Sequence, residues 1–234
     1  MGQNFEHHHE ATVHATPDQV WDAIATGPGI STWFIGRTDI QGDTIHTTFG
    51  DAAMPTGAIT TRNPPHHLAH RSDTAPDGRF VAYEYLIEGN DHAATTLRAV
   101  TSGFLPGDDW ADEYEAMHHG TDLFFATLTE ALNHFPGRTA TPLVAFGPPV
   151  TDWPATWSAL HEALGLPPAP TAGDQAKDGS QVYHVNPHAL ALRTPDALHR
   201  YQRGFHGALI AAHSLYTGDA DPRRWTTFLA GLQP

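Results

Sequence analysis

Cysteine is absent from the 234 residues, lysine occurs once, at Lys177, and charged residues of all kinds make up only 16%. Without cysteine there can be no disulfide framework, no thiol nucleophile and no thiolate ligands for zinc or iron–sulfur centres. Lysine and arginine together number 12 against 26 aspartates and glutamates, a formal net charge of −14 at pH 7, and the arginines are scattered. So acidic a surface repels phosphate backbones and anionic headgroups, which sets aside nucleic acid and membrane surfaces as partners. No apolar run approaches the ~20 residues of a spanning helix. The start, Met1-Gly2-Gln3-Asn4-Phe5-Glu6, lacks the basic and apolar regions of a signal peptide. Neither a Walker sequence, Gly-x-Gly-x-x-Gly nor a Gly-x-Ser-x-Gly elbow occurs, so nothing calls for a nucleotide cofactor or a serine nucleophile. The expectation is an acidic cytoplasmic protein without a cofactor, its 40% hydrophobic residues ample for a packed core.

Periodicity then divides the chain. Residues 5–15 alternate, placing Phe5, His7, His9, Ala11, Val13 and Ala15 on one face of a strand. Thr16-Pro17-Asp18-Gln19 has the spacing of a capping box with proline at the first helical position, ahead of Val20, Trp21 and Ile24. A short helical piece over residues 30–34 closes on Gly36. Between residues 38 and 105 five or six strands form an antiparallel meander, punctuated at Gln41-Gly42-Asp43, Asn63-Pro64-Pro65, Pro76-Asp77-Gly78 and Gly89-Asn90-Asp91. Val81, Tyr83, Tyr85 and Ile87 share one face of the clearest strand. After Pro106-Gly107-Asp108, residues Trp110, Tyr114, Met117, Phe124, Leu128, Leu132 and Phe135 trace one helical stripe. Asp108, Asp109, Asp112 and Glu113 sit where the helix dipole favours negative charge, Gly120 is expected to mark a bend, and Pro136-Gly137 stops the helix.

The remainder echoes this pattern in shorter form. Leu143-Val144-Ala145-Phe146 followed by Trp153, Trp157, Leu160 and Leu164 parallels the strand and Trp-bearing helix of residues 13–24. Pro187-His188-Ala189-Leu190-Ala191-Leu192-Arg193-Thr194 parallels Pro65-His66-His67-Leu68-Ala69-His70-Arg71-Ser72, and Asp221-Pro222 opens a last helix bearing Trp225, Phe228, Leu229 and Leu232. This predicts a tandem repeat dividing the chain into residues 1–138 and 139–234.

Ala15-Thr16-Pro17-Asp18-Gln19-Val20-Trp21-Asp22-Ala23-Ile24, then Ile30-Ser31-Thr32-Trp33-Phe34, Thr96 through Phe104, and the acidic start of the long helix together resemble the SRPBCC (START-like) superfamily. The branch they resemble is named after an activator of the ninety-kilodalton heat-shock protein's ATPase. The resemblance spans roughly residues 5–135, with Gly120-Thr121 where the family typically has Gly-Trp, and residues 139–234 resemble a degenerate second copy. It implies an α+β helix-grip (START-like/Bet v1-like) fold, a curved antiparallel sheet around a long C-terminal helix, and between them a hydrophobic ligand-binding pocket.

On that reading Trp33, Phe49, Met54, Tyr83, Tyr85, Phe104, Trp110, Tyr114, Met117 and His118 line the pocket, beneath the helical stripe of residues 110–132. His118 and Tyr114 are the weak catalytic candidates, with Tyr83 and an acid such as Glu84 or Asp112. His7 and His9 share a strand face with no carboxylate in sequence beside them, a poor metal site. His66 and His70 lie two steps apart, too far to chelate comfortably. His199, His206 and His213 recur every seven residues, with Gly204 and Gly207 interrupting any helix. The leading expectation is a small apolar-molecule binding protein. The alternatives are a cyclase-, aromatase- or hydrolase-like enzyme using the same pocket, or a co-chaperone-like interaction protein. An exposed edge strand in the shortened half makes a homodimer a further expectation.

Overall fold

The computed structural model describes residues 2–89, 94–107, 110–204 and 207–232, with side chains in the long helix from residue 113 onward. The chain folds as two compact units, Met1–Thr139 and Ala140–Pro234.

In the first unit β1 (Gln3–Val13) leads through α1 (Pro17–Ala25) and α2 (Gly27–Trp33) into β2 (Arg37–Gln41), β3 (Thr44–Phe49), β4 (Ala52–Ala53), β5 (Gly57–Asn63), β6 (His67–Ser72), β7 (Phe80–Gly89) and β8 (Thr95–Leu105), and ends in α3 (Trp110–His134). The capping box forms as the sequence predicts. The Thr16 hydroxyl accepts from the Gln19 amide at 3.3 Å, and the Gln19 side chain accepts from the Thr16 amide at 2.9 Å. Thr26 ends α1 and caps α2, accepting from the Gly29 amide at 3.0 Å. That second cap starts α2 at Gly27, earlier than the apolar residues alone indicate.

The strands form one antiparallel sheet in the order β1-β8-β7-β6-β5-β3-β2, with β4 paired to β3. Strand β1 joins the last strand over its whole length, from Gln3 opposite Leu105 to Val13 opposite Thr95. Along β8 every second residue is buried, so Thr95, Leu97, Ala99 and Thr101 face inward. Helix α3 packs on β1, β8, α1 and α2, burying Leu123, Leu128, Ala131 and Leu132, and runs through Gly120 without a break. A long helix gripped by a curved antiparallel sheet is the α+β helix-grip arrangement.

The second unit comprises β9 (Thr141–Pro149), α4 (Trp153–Leu164), β10 (Gln181–Asn186), β11 (Ala189–Arg193), β12 (Ala197–Arg203), β13 (Ala208–Leu215) and α5 (Pro222–Ala230). Its order, β9-β13-β12-β11-β10, repeats β1-β8-β7-β6-β5: the first strand pairs with the last, and the sheet then runs backwards through the chain. The two similar sequence stretches become β6 and β11, the fourth strand of each order. One helix stands between β9 and β10 where the first unit has two helices and three further strands. Among the described residues no helix of either unit is long and apolar enough to cross a membrane.

Candidate functional site

Inward residues of the outer strands in the first unit meet α2 across open space. A cavity of about 290 Å³ lies there, walled by Ile30, Trp33 and Phe34 on one side, Ile45 and Thr47 of β3 on another, and His70, Val81, Tyr83 and Tyr85 of β6 and β7 below. Beneath α3 the space is nearly closed. Phe124, Phe125 and Leu128 meet Ala99 and Thr101 around only about 20 Å³, room for roughly one water. Phe34 packs against Phe124 with ring centroids 4.7 Å apart, a contact that helps fill the space below the helix. The roomy interior therefore lies toward β3, β6 and β7, not under the stripe of residues 110–132.

Of the sequence candidates, Trp33, Met54, Tyr83 and Tyr85 line this cavity. Phe49 is buried two residues beyond Thr47, at the end of β3 beside β4. Phe104 falls on the opposite face of β8, because the inward set ends Ala99, Thr101, Gly103 and a one-residue difference reverses the side of a strand. Tyr114 and His118 stack instead over β1, with ring centroids 5.0 and 4.6 Å from His7. Met117 is half-buried on the same helix and lines neither space. The Trp110 and Asp112 side chains lie outside the described residues, as does His206. Glu84 points outward and pairs with His67 at 2.7 Å.

His70, considered along the chain only as a metal ligand, is the polar wall residue that sequence reasoning misses. It sits directly across from Tyr83, as Leu68 does from Tyr85, a register centred on Pro76-Asp77-Gly78. The His70 ring stacks on Tyr83 at 4.9 Å and stands 6.1 Å from Tyr85. Burial lowers the His70 pKa to about 4, so its imidazole is neutral at pH 7. Burial likewise raises the Tyr83 hydroxyl to about 12 and the Tyr85 hydroxyl further, so both keep their protons. The inner wall thus carries two phenolic O–H groups and one neutral imidazole among apolar side chains, with Thr47, Thr56, Ser72, Asp73, Thr74 and Arg79 completing the lining. Trp33 offers only its ring, since its indole N–H donates to the Ala23 carbonyl at 2.9 Å.

A second cluster joins β1 to α3. His9 Nε2 lies 2.8 Å from Asp122 Oδ1, His118 Nδ1 lies 3.1 Å from His7 Nδ1, and His118 Nε2 lies 3.6 Å from Asp122 Oδ2. The carboxylate missing beside His7 and His9 in sequence is supplied by the helix. Burial and the nearby His118 lower the pKa of His7. These side chains engage one another rather than the cavity, which assigns His118 to fastening the helix. In the second unit His199 and His213 come together across β12 and β13, ring centroids 4.6 Å apart and covered by Trp225 at 5.4 and 4.1 Å. Of the seven-residue recurrence, His199 and His213 meet across a strand pair rather than along a helix.

The first unit is defined by these features as a helix-grip domain with a partly open cavity, and the second shares its strand order with fewer strands. No protein-family model matches the chain, and no curated protein does. Among solved structures it is similar to the Aha1 dimer from Colwellia psychrerythraea, at 20% identity over 55% of this chain and 96% of that one, TM-score 0.43. It is similar also to BexL, a di-domain ARO/CYC protein from the BE-7585A biosynthetic pathway, at 14% identity over 96% and 93%, TM-score 0.45. Norcoclaurine synthase from Thalictrum flavum is similar at 13% identity over 55% and 86%, TM-score 0.42.

Proposed function

We propose that the protein binds a small, mainly apolar molecule in the cavity of its first unit. The observation that carries this is the 290 Å³ space itself, in a chain whose neighbouring core beneath α3 is closed to about 20 Å³. A concave, mainly apolar space of this size beside a tight core is a binding-site signal. A guest losing roughly 300 Å² of apolar surface would gain about 7 kcal/mol before the costs of association, which limits apolar burial alone to weak binding.

The test fills the space. Val81 lies on the inward face of β7 and lines the cavity. Native mass spectrometry and thermal-shift measurements with small aromatic and aliphatic compounds should show adducts and raised Tm for the natural sequence. For a folded Val81→Trp variant both effects should be lost. Equal stabilisation of the two proteins would move binding elsewhere, and no stabilisation by any compound would remove the function.

A further inference from the structure

The cavity wall holds polar groups that the protein leaves without partners. Among the described residues Tyr83, Tyr85 and His70 all line the cavity, and none of the three makes a side-chain hydrogen bond. Several other polar side chains at the same wall are engaged. Thr47 shares a 2.9 Å hydrogen bond with Thr38, the Ser72 hydroxyl accepts from the Val81 amide, Thr74 accepts from Arg71, and Arg79 pairs with Asp77 and Glu113. The polar atoms of Tyr83, Tyr85 and His70 face the cavity, where a water or a ligand atom can pair with them.

The three groups are also one unit in space. His70 and Tyr83 are cross-strand neighbours with stacked rings, and Tyr85 stands on the same face of β7, two residues on. Trp33 and Phe34 close over them edge-on, at 6.3 Å from Tyr85 and 6.2 Å from Tyr83. The chemistry offered is two O–H donors, one imidazole nitrogen that accepts and one that donates, between apolar walls and with no free charge among them.

We infer that the guest is an uncharged molecule with an apolar body and at least two hydrogen-bonding oxygens, selected by Tyr83, Tyr85 and His70. This rests on the cavity being a binding site and adds which guests it prefers: hydrocarbons leave the three groups unpaired, and carboxylates meet a lining on which Arg79 is already paired with Asp77 and Glu113 and Asp73 adds a negative charge. Burial strong enough to keep His70 neutral down to about pH 4 acts equally against a charged guest.

Three probes of one shape separate these cases: naphthalene, 2,7-dihydroxynaphthalene and 2-naphthoate, titrated calorimetrically into the full chain at pH 7.5. The dihydroxy compound should bind at least tenfold more tightly than naphthalene, and 2-naphthoate most weakly. In Tyr83→Phe, Tyr85→Phe and His70→Leu variants, checked for folding by thermal melts, the ratio of dihydroxynaphthalene to naphthalene affinity should fall severalfold in each. Equal binding of naphthalene and its dihydroxy analogue would overturn the inference and leave the cavity as an unselective site holding water against these groups. A preference that survives all three substitutions, or tighter binding of 2-naphthoate, would also overturn it. Binding of none of the three probes would overturn the underlying function as well.

Discussion

Outward from the first strand of the first sheet, one inward row reads His9, Ala99, Tyr85, Leu68 and the next His7, Thr101, Tyr83, His70. In the second unit the corresponding rows read Ala145, Ala211, Tyr201, Leu190 and Leu143, His213, His199, Leu192. The tyrosine and leucine of the first row are kept. In the second row His70, which lines a cavity, is matched by Leu192, which is 1% exposed in a core. Over that core α5 lays Trp225 and Phe228 against Tyr201, at 6.3 and 6.0 Å. In the first unit the facing wall is α2 and β3, and the second unit has no counterpart to β3 beyond β10. A cavity needs opposed walls held apart. With a five-stranded sheet covered by the short helices α4 and α5, the stable interior is a filled one.

The sharpest way to break this contrast is to empty the second unit. Trp225→Ala removes the ring over His213 and should destabilise that unit by about 3–5 kcal/mol. Denaturant unfolding measures it, with amide exchange assigning the loss to residues 140–234, and an unchanged midpoint would mean that the core is not built around this ring.

Exchanging the matched residues comes next. Leu192→His buries an imidazole where leucine is packed and should lose roughly 2–4 kcal/mol. His70→Leu relieves an unpaired group beside open space and should be neutral or stabilising by about 1 kcal/mol. Equal losses from both exchanges would erase the distinction between a filled and an open interior.

Acid provides a third handle. The His70 pKa is about 4 when folded and near 6.5 in the unfolded chain. Its folded value is depressed, so between those limits the unfolded state binds the proton and the native state does not. Stability present above pH 6.5 is therefore lost as pH falls to about 4, by roughly 3 kcal/mol from this residue. The pH dependence of unfolding should be flatter by that amount in His70→Leu, and identical slopes would show that His70 is not held neutral by burial.

The smallest effect is expected at His118. Its removal by His118→Ala breaks the 3.1 Å contact with His7 and should lower stability by about 1 kcal/mol while leaving cavity binding unchanged. A large loss of ligand affinity would place His118 in the site after all.

Much of the site's wall is legible in the sequence. The alternation of residues 81–87 places Tyr83 and Tyr85 inward, and the Trp33-Phe34 pair follows a recognisable cap. His70 is readable too, since a hairpin centred on Pro76-Asp77-Gly78 sets it opposite Tyr83. Weighing histidines by metal spacing rather than strand register passes over it. Phe104 is misplaced by one residue of parity. Tyr114 and His118 are misassigned to the cavity because a helical stripe tells which side is buried but not what lies beneath each turn. Nor can the absence of a carboxylate near His7 be judged along the chain, since Asp122 comes from α3, 113 residues from its partner His9.

Local periodicity, caps and turns in these 234 residues determine the elements and most of their faces, because each depends on neighbours a few positions apart, whereas the pairing of β1 with β8 joins distant parts of the chain. Where the interior stays open was decided only by tertiary structure. The cavity is the volume left over between α2, β3, β6 and β7, a difference between large packed volumes to which every wall contributes and which no single stretch of sequence contains.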